Sequence, residues 1–232
     1  MKLLIIIHLF LVVCCKNVDK QSNTKVGNQK ADSSVVFADT ATILGEHFTA
    51  FYEKNDTLYI LKPKSDTIAK MPNLHPNFRF ADFNGDGLKD IVVTSLGNIP
   101  DVQNVLVFDK TNKKFALVEG LSDFPASKLI KGTKYYYSYS RRGCQDMNWD
   151  SYLFYIENNT ANPIGFISGM GCKNNEKEGI YISKIQDTKK YLISESPISV
   201  VVKYKNHKWG FLEEYWTNNY SKFTNLTKNT KP

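Results

Sequence analysis

The residues best suited to chemistry lie in one acidic segment, FADFNGDGLKDIVV, at residues 80–93. Its candidate ligands, which offer carboxylate, amide or backbone carbonyl oxygen, are Asp82, Asn84, Asp86, Leu88 and Asp90. Calcium takes about six to eight oxygen ligands of these kinds, and Gly87 permits the sharp turn that such a loop needs. Three carboxylates this close would repel one another without a counter-ion. The spacing therefore predicts a calcium site, with calcium as the cofactor; a polar turn without an ion is the alternative.

The residues around this segment must position it, and they favour strands on both sides. In the helix-loop-helix calcium motif, position 12 is a glutamate, whereas here it is Val93. The segment instead resembles the Asp-x-Asp/Asn-x-Asp-Gly-x-x-Asp loop of FG-GAP and VCBS-type β repeats. This resemblance implies an extracellular β domain in which the ion has a structural role.

The order of elements gives a second, narrower resemblance. One such loop after two hairpins, followed by aromatic strands, is similar to exported single-loop domains related to a periplasmic lysozyme inhibitor. The resemblance implies a structural calcium ion and a surface loop that blocks a peptidoglycan hydrolase. The sequence does not reveal which segment that loop would be.

The remaining pattern predicts a mainly β fold. Short apolar runs recur every ~8–12 residues, with hairpins at 48–62 and 104–119. We expect a small propeller-like or sandwich domain of antiparallel hairpins over residues 40–206. A helix closes it at 207–223, and a tail follows at 224–232. The helix is predicted from aromatic and aliphatic residues at helical intervals, namely Trp209, Leu212, Trp216, Tyr220 and Phe223.

The N-terminus resembles a bacterial lipoprotein signal at residues 1–15. Lys2 precedes an apolar run that is too short to span a membrane, and Cys14 and Cys15 follow it. We expect acylation at Cys15, with Cys14 as the other register and a plain signal peptide as the alternative. Residues 16–39 would be a disordered tether. This places the protein in the envelope of a Gram-negative bacterium, lipid-anchored, in the periplasm or on the outer-membrane surface.

The two remaining cysteines are Cys144 and Cys172. An exported domain with a single pair predicts one disulfide. Zinc binding is the alternative, but Cys-x-x-Cys spacing is missing and the chain has only 4 histidines.

The composition argues against nucleic-acid binding and against catalysis. The formal charge is +7, but the lysines are scattered instead of clustered. No Gly-x-Ser-x-Gly elbow or phosphate loop is present, and the one Ser-x-x-Lys match, from Ser22 to Lys25, lies in the predicted tether. Asp146 and Asp150 could form an acid pair, although a polar turn is the simpler interpretation. We therefore predict a protein that is not an enzyme.

A candidate binding surface lies in the segment YYYSYSRR and the loop after it. Side chains that would share one face, or lie near it, are Tyr135, Tyr137, Tyr139, Arg141 and Trp149. They could anchor a protein or stack on sugars, and ordinary sheet packing is the alternative. The sequence thus predicts an exported calcium-binding lipoprotein that acts as a non-catalytic protein-binding or inhibitory module. A peptidoglycan hydrolase is one candidate partner, and glycan binding or processing is the alternative function.

Overall fold

The fold is known from a computed structural model that describes residues 34–62, 67–73, 75, 77–172 and 177–224. The predicted signal peptide with Cys14 and Cys15, most of the predicted tether, and the tail from residue 225 lie outside these residues. Within the described part of the chain, no helix has the length and apolarity that crossing a membrane requires.

The described residues form fifteen strands and two α-helices. The first strands are β1 (Val35–Ile43), β2 (Glu46–Glu53), β3 (Thr57–Leu61) and β4 (Thr67–Pro72). The next are β5 (Phe78–Ala81), β6 (Asp90–Ser95), β7 (Val102–Asp109) and β8 (Lys114–Leu117). They are followed by β9 (Lys128–Leu129), β10 (Tyr135–Tyr137), β11 (Ser140–Arg141) and β12 (Asn148–Glu157). The last strands are β13 (Thr160–Met170), β14 (Gly179–Gln186) and β15 (Lys189–Ser196). Short 3-10 helices lie at Leu121–Asp123, Cys144–Asp146 and Ile198–Lys203, and the chain continues into α1 (Lys208–Asn219) and α2 (Ser221–Thr224).

The strands form three antiparallel sheets. The N-terminal sheet has the order β1-β2-β3-β4 and the middle sheet the order β5-β6-β7-β8. The C-terminal sheet has seven strands, in the order β15-β14-β13-β12-β10-β9, and β11 also pairs with β12. Neighbours in each sheet are close in sequence, because short turns can join only antiparallel strands.

The middle sheet lies between two apolar clusters. Along β6, Ile91 and Val93 pack with the N-terminal sheet, whereas Val92 packs with residues of the C-terminal sheet. Side chains alternate between the two faces of a strand, so a strand covered on both faces must be apolar at successive positions. This explains the continuous run from Ile91 to Val93.

The C-terminal sheet carries the two helices on its other face. Phe211, Leu212, Trp216 and Phe223 are buried against this sheet. The approach is close, because a Cβ at Gly165 of β13 would lie 2.8 Å from the Phe223 ring and 3.0 Å from the Trp216 ring. The helices therefore cover the centre of the sheet, and their close approach at Gly165 is possible because this residue has no side chain.

Much of the predicted architecture is confirmed. The chain is mainly β and antiparallel, both predicted hairpins form, and a C-terminal helix is present. No closed barrel or propeller forms within the described residues, so the finer prediction of a propeller-like domain is not confirmed.

The predicted domain boundary needs a correction. The first strand begins at Val35, inside the segment predicted as a tether to residue 39. Val35 pairs with Glu53 of β2, and the Phe37 ring packs edge-on against the Phe78 ring with centroids 4.9 Å apart. The polar residues up to Ser34 concealed this strand.

Candidate functional site

The acidic loop connects β5 to β6 and is held together by its own side chains. Asp82 accepts hydrogen bonds from the backbone N–H groups of Gly85 (2.7 Å) and Gly87 (3.0 Å). The Asp86 N–H donates to Asn84 Oδ1 at 3.0 Å. Both glycines have positive φ, 77° and 85°, a conformation that glycine adopts without steric cost. The alternating side chains thus satisfy the backbone donors of a sharply turned loop.

Asp90 ends the loop and joins three segments of the middle sheet. It is fully buried, and its two carboxylate oxygens accept hydrogen bonds from the N–H groups of Phe83 (3.0 Å) and Phe108 (2.9 Å). Burial, with a smaller contribution from the nearby Asp86 charge, raises the pKa of Asp90 to about 6, although the N–H groups of Phe108 and Phe83 act in the opposite direction. Asp90 therefore has a structural role in tying β6 to β7.

The loop also contacts the C-terminal sheet. The ring of Phe83 stacks on the ring of Tyr136 with centroids 5.2 Å apart. A Cβ at Gly85 would lie 2.7 Å from the Leu129 side chain. Burial and the negative charges of Asp90, Asp82 and Asp86 raise the pKa of Tyr136. The acidic loop thus contacts the C-terminal sheet through Phe83 and Gly85, while Asp82 and Asp86 remain exposed.

The donor set of this loop fits calcium in its chemistry. All the predicted ligand atoms are oxygens, and none of the ion pairs within the described part of the chain involves a loop carboxylate. A calcium ion would supply that missing positive charge. The described residues do not, however, bring three or more acidic, histidine or cysteine side chains into a metal-binding arrangement. The oxygens instead serve the loop backbone, so the calcium site remains a prediction.

The candidate aromatic surface is largely buried, which corrects that prediction. Tyr137, Tyr139 and Trp149 are less than one-tenth exposed and belong to the core beneath α1. Tyr135 is half-buried against the ring of Tyr220, at 5.5 Å between centroids. The sequence pattern identified a strand rich in aromatic residues, but it could not indicate that the C-terminal helix would cover it. Among the five predicted residues, Arg141 alone is exposed.

The predicted disulfide between Cys144 and Cys172 forms, with 6.3 Å between the Cα atoms. It joins the turn before β12 to the end of β13. On the same turn, Asp146 accepts hydrogen bonds from the hydroxyl of Tyr139 and from Lys208 Nζ, the latter at 2.6 Å. Lys208 is the first residue of α1, so this turn fastens the helix to the sheet.

Asp146 and Asp150 do not form an acid pair with a shared partner. Asp146 is paired with Lys208, whereas Asp150 lies 3.3 Å from Arg142 Nη1. Asp150 is buried, and its Oδ1 has no hydrogen-bond partner among the described residues. Burial raises the pKa of Asp150 although Arg142, Ser168 and Lys190 favour its charged form.

Strand β15 is the most exposed apolar element of the described chain, and the sequence predicted a strand here but not its exposure. Seven of its eight residues are exposed. Tyr191, Leu192 and Ile193 are exposed by 51%, 58% and 53%. Consecutive residues point to opposite faces, so the strand is uncovered on both faces. It is also the edge of its sheet, with β14 as its partner on one side.

A second apolar feature is a groove of about 440 Å³ beside the start of α1. It is lined by Met147, Val202 and Trp209 together with Asp146 and Lys208. Met147, Val202 and Trp209 are exposed. This groove offers a place for control substitutions, because it is apolar and belongs to a different element from β15.

Comparisons with known proteins identify distant structural likenesses. No family model matches the chain, and no curated protein matches it. A solved structure of a Xanthomonas type IV secretion system related protein is similar, with 19% identity and a TM-score of 0.46 over 68% of this chain and 93% of that one. The Pyrococcus horikoshii acylaminoacyl peptidase has 10% identity and a TM-score of 0.30, over 70% of this chain and 32% of the peptidase. Neither likeness is close enough to assign a fold family or a function to this chain.

Proposed function

We propose that this protein is an exported calcium-binding lipoprotein whose β domain is a non-catalytic protein-binding module of the bacterial cell envelope. Strand β15 is the observation that carries the proposal. An edge strand presents unpaired backbone N–H and C=O groups, and an incoming strand can extend the sheet by pairing with them. Tyr191, Leu192 and Ile193 would then contact the side chains of the incoming strand on both faces.

The composition of β15 defines the strand that it would accept. Lys189 and Lys190 begin the strand, apolar residues fill its centre, and Glu195 lies near its end. A complementary strand has an apolar centre, an acidic residue opposite the lysines and a basic residue opposite the glutamate. Protein chains supply such a pattern, whereas a glycan offers neither backbone hydrogen bonds nor apolar side chains.

Calcium would have a structural role in this module. Asp82, Asn84, Asp86, the Leu88 carbonyl and Asp90 would hold the ion, and its charge would offset their mutual repulsion. We expect calcium to raise the melting temperature of the wild-type protein and a chelator to reverse this. Asp86→Ala should abolish the response. An unchanged wild-type melting temperature in chelator would remove calcium from the proposal.

Two observations support an envelope location. The Cys144–Cys172 disulfide requires an oxidising compartment in most organisms, and the periplasm is one. The lipoprotein-like N-terminus predicts a tether to the membrane in the same compartment. A tethered binding module would act on partners at the membrane face.

The binding test uses a lysozyme-type peptidoglycan hydrolase, because the resemblance to lysozyme-inhibitor-related domains favours that partner. The wild-type protein should bind the purified hydrolase and slow its cleavage of peptidoglycan. A Leu192→Lys/Ile193→Lys double variant should lose both effects. A Val202→Lys/Met147→Lys control, which adds the same charge in the groove beside α1, should keep them. Equal loss in the two variants, or no binding by the wild type, would contradict a β15 interface for this partner.

Glycan binding or processing is the second candidate, and Asp150 is the observation that favours it. Burial raises the pKa of Asp150, as a proton donor to a sugar requires, and its buried Oδ1 has no hydrogen-bond partner among the described residues. Because this oxygen is closed to solvent, a glycan would reach the carboxyl group only after the exposed Arg142 side chain moves aside. This candidate predicts retention of the wild-type protein on insoluble peptidoglycan. It also predicts that Asp150→Asn, which keeps the size of the side chain, weakens retention or turnover. Retention that is absent, or is unchanged in Asp150→Asn, would exclude a role for this site.

A further inference from the structure

We infer that the outer face of the N-terminal sheet lies against the lipid bilayer to which the chain is tethered. The outer face is the one turned away from the middle sheet, and it carries Val35, Ala38, Phe51, Tyr59 and Lys70. The inference goes beyond the proposed function, which places only an acyl chain in the membrane, and it rests on the lipid anchor named there. Phospholipids would thus be a partner of the folded domain itself.

The pairing of the strands shows which side chains share this face. In β2, Phe48 and Tyr52 are buried in the cluster shared with the middle sheet, so the alternation along the strand turns Phe51 to the other side. Ala38 of β1 and Tyr59 of β3 lie opposite Phe51. The rings of Phe51 and Tyr59 are stacked with centroids 5.2 Å apart, and neither belongs to any of the three apolar clusters of the described residues. This half-buried aromatic pair is therefore accessible from the outer side.

The start of β1 adds an exposed apolar edge to the sheet. Val35, Val36 and Phe37 are exposed by 40–54%. Val36 has no partner in β2, because the register moves from Val35 opposite Glu53 to Phe37 opposite Tyr52. An extra residue of this kind bends the strand. Three successive apolar side chains are therefore accessible where β1 begins.

The proposed tether would join the domain at the same corner. Ser34 is the first described residue, and its carbonyl accepts a hydrogen bond from the Lys54 N–H at 2.9 Å. A flexible tether of residues 16–34 would have a root-mean-square length of about 25 Å. It would hold the start of β1 at about this distance from the bilayer, which raises the local concentration of the outer face at the lipid surface. A contact too weak to retain a free protein would therefore be sufficient.

The chemistry of the outer face suits a membrane–water interface, where tyrosine and lysine side chains place an apolar body against lipid and a polar tip in water. Lys70 Nζ lies over the Tyr59 ring, 5.5 Å from its centre, and Lys54 is exposed at the turn between β2 and β3. Within the described part of the chain, neither lysine forms an ion pair. The acidic residues near them, Glu53 and Asp56, accept hydrogen bonds from neighbouring side chains. The two lysines are thus free to contact anionic lipid headgroups, each contributing about fivefold in affinity.

Contact at this face would also orient the proposed binding strand. The middle sheet packs with the N-terminal sheet on one face and with the C-terminal sheet on the other. The outer face of the N-terminal sheet and strand β15 therefore belong to opposite sides of the middle sheet. A domain that rests on its N-terminal sheet would present β15 away from the lipid, where a protein partner can reach it.

The test measures quenching of an introduced tryptophan by brominated phospholipids. The full-length chain is reconstituted into vesicles of phosphatidylethanolamine with a minor share of phosphatidylglycerol, whose acyl chains carry bromine. In Val36→Trp, the emission added by the substitution should fall by at least half relative to vesicles without bromine, because the new ring would contact the acyl chains. Leu96→Trp, which places the same residue at an exposed position after β6, is the matched control and should not be quenched.

Charge reversal on the same face gives a second measurement. Lys54→Glu/Lys70→Glu in the Val36→Trp background should reduce the quenching, because the new carboxylates repel the anionic headgroups. Lys131→Glu/Lys203→Glu, the same charge change on exposed residues of the C-terminal half, should leave it unchanged. Equal quenching in Val36→Trp and Leu96→Trp, or quenching in neither, would overturn the inference.

The mass of the purified chain reports the anchor separately. If the chain is acylated and stays with the vesicles but Val36→Trp is not quenched, membrane contact by the sheet is wrong and the lipid anchor stands. If the chain carries no acyl group, the anchor in the proposed function is wrong. The same vesicles added to that soluble chain still test the outer face, because quenching in Val36→Trp alone would support the contact and its absence would overturn it.

Discussion

Two regions of the C-terminal sheet are both rich in apolar and aromatic residues, but one is covered by a helix and the other is exposed. The segment from Tyr135 to Trp149 contains β10 and β11 and is rich in tyrosine, and β15 has the apolar run Tyr191-Leu192-Ile193. The first region is covered by α1, with Trp209 against Tyr139 at 3.8 Å between ring centroids. The second is uncovered on both faces. Exposure of a strand in this sheet thus depends on what packs against it and not on its own residues.

The cause of the difference is the path of the chain after β15. The 3-10 helix at Ile198–Lys203 and α1 return across the middle of the sheet, and Trp216 Nε1 donates a hydrogen bond to Ser151 Oγ of β12 at 2.8 Å. Close approach is possible there because Gly165 and Gly169 lack side chains beneath the Trp216 and Trp149 rings. At β15 the sheet extends past the helices.

The largest expected effect is a contrast in stability between the covered and the uncovered region. Trp149→Ala should lower the free energy of unfolding by about 3–5 kcal/mol, because it opens a cavity beneath α1. Leu192→Ala should change the stability of the monomer by no more than about 0.5 kcal/mol, because its side chain is exposed. Urea denaturation at low protein concentration measures both. Similar losses in the two variants would mean that β15 is covered after all.

The next effect concerns the turn that fastens α1. Replacing both Cys144 and Cys172 by alanine should lower the free energy of unfolding by about 2–4 kcal/mol, because the disulfide restricts a segment of intermediate length in the unfolded chain. The sequence separation is 28 residues. Chemical denaturation of the variant and of the wild type, with and without reductant, gives the difference. A reductant effect on the alanine variant would show that the loss has another origin.

A smaller loss of stability is expected when a methyl group is added between the helices and the sheet. Gly165→Ala places a methyl group against the Phe223 and Trp216 rings and should destabilise the protein by about 1–3 kcal/mol. Gly97→Ala is the matched control, because nothing lies within 4 Å of the added carbon. Thermal unfolding of both variants tests this. If Gly165→Ala were as stable as Gly97→Ala, the helices would pack less tightly than the structure indicates.

The smallest effect is pH-dependent and concerns the Asp146–Lys208 contact. Partial burial raises the pKa of Asp146, but hydrogen bonds from Lys208 and Tyr139 outweigh it and hold the pKa below 3.8. Because the folded-state pKa is lower than the unfolded one, this contact stabilises the protein above pH ~4 and is lost as the pH falls through the folded-state value.

Lys208→Met should therefore lower the melting temperature at neutral pH, and the difference from the wild type should narrow as the pH falls below 4. Thermal unfolding between about pH 2.5 and 7 measures it. Lys203→Met, on an exposed residue of the preceding 3-10 helix, is the control and should show no such dependence. A constant difference across this range would mean that Lys208 acts through packing instead of charge.

Local patterns predicted the local structure well. Alternating apolar residues with turn residues between them predicted the hairpins of β2–β3 and β7–β8, and helical spacing predicted the C-terminal helix. The disulfide followed from there being one remaining pair of cysteines. Gly87 indicated a sharp turn, and it has a positive φ of 85°. These features depend on residues close in sequence or on simple counting.

The errors arose where distant segments meet. Tyr139 and Trp149 were predicted to lie near a binding surface, but α1, some 60 residues later, covers them. The run from Asp90 to Val93 is buried because two other sheets pack against the two faces of β6. The first contact leaves no mark in the sequence of the strand, and the continuous apolar run from Ile91 to Val93 indicates that β6 is covered on both faces without indicating which sheets cover it.

The sequence by itself determined the mainly β class, the turned acidic loop, the cysteine pair and the terminal helix, because each is specified by local spacing and backbone preference. The tertiary structure alone decided which strand remains uncovered. Burial is set by what packs on an element, and α1 has room over β12 and β13 but does not reach β15. For the same reason, the bare strand and the partner proposed for it could be recognised only after the sheet was assembled.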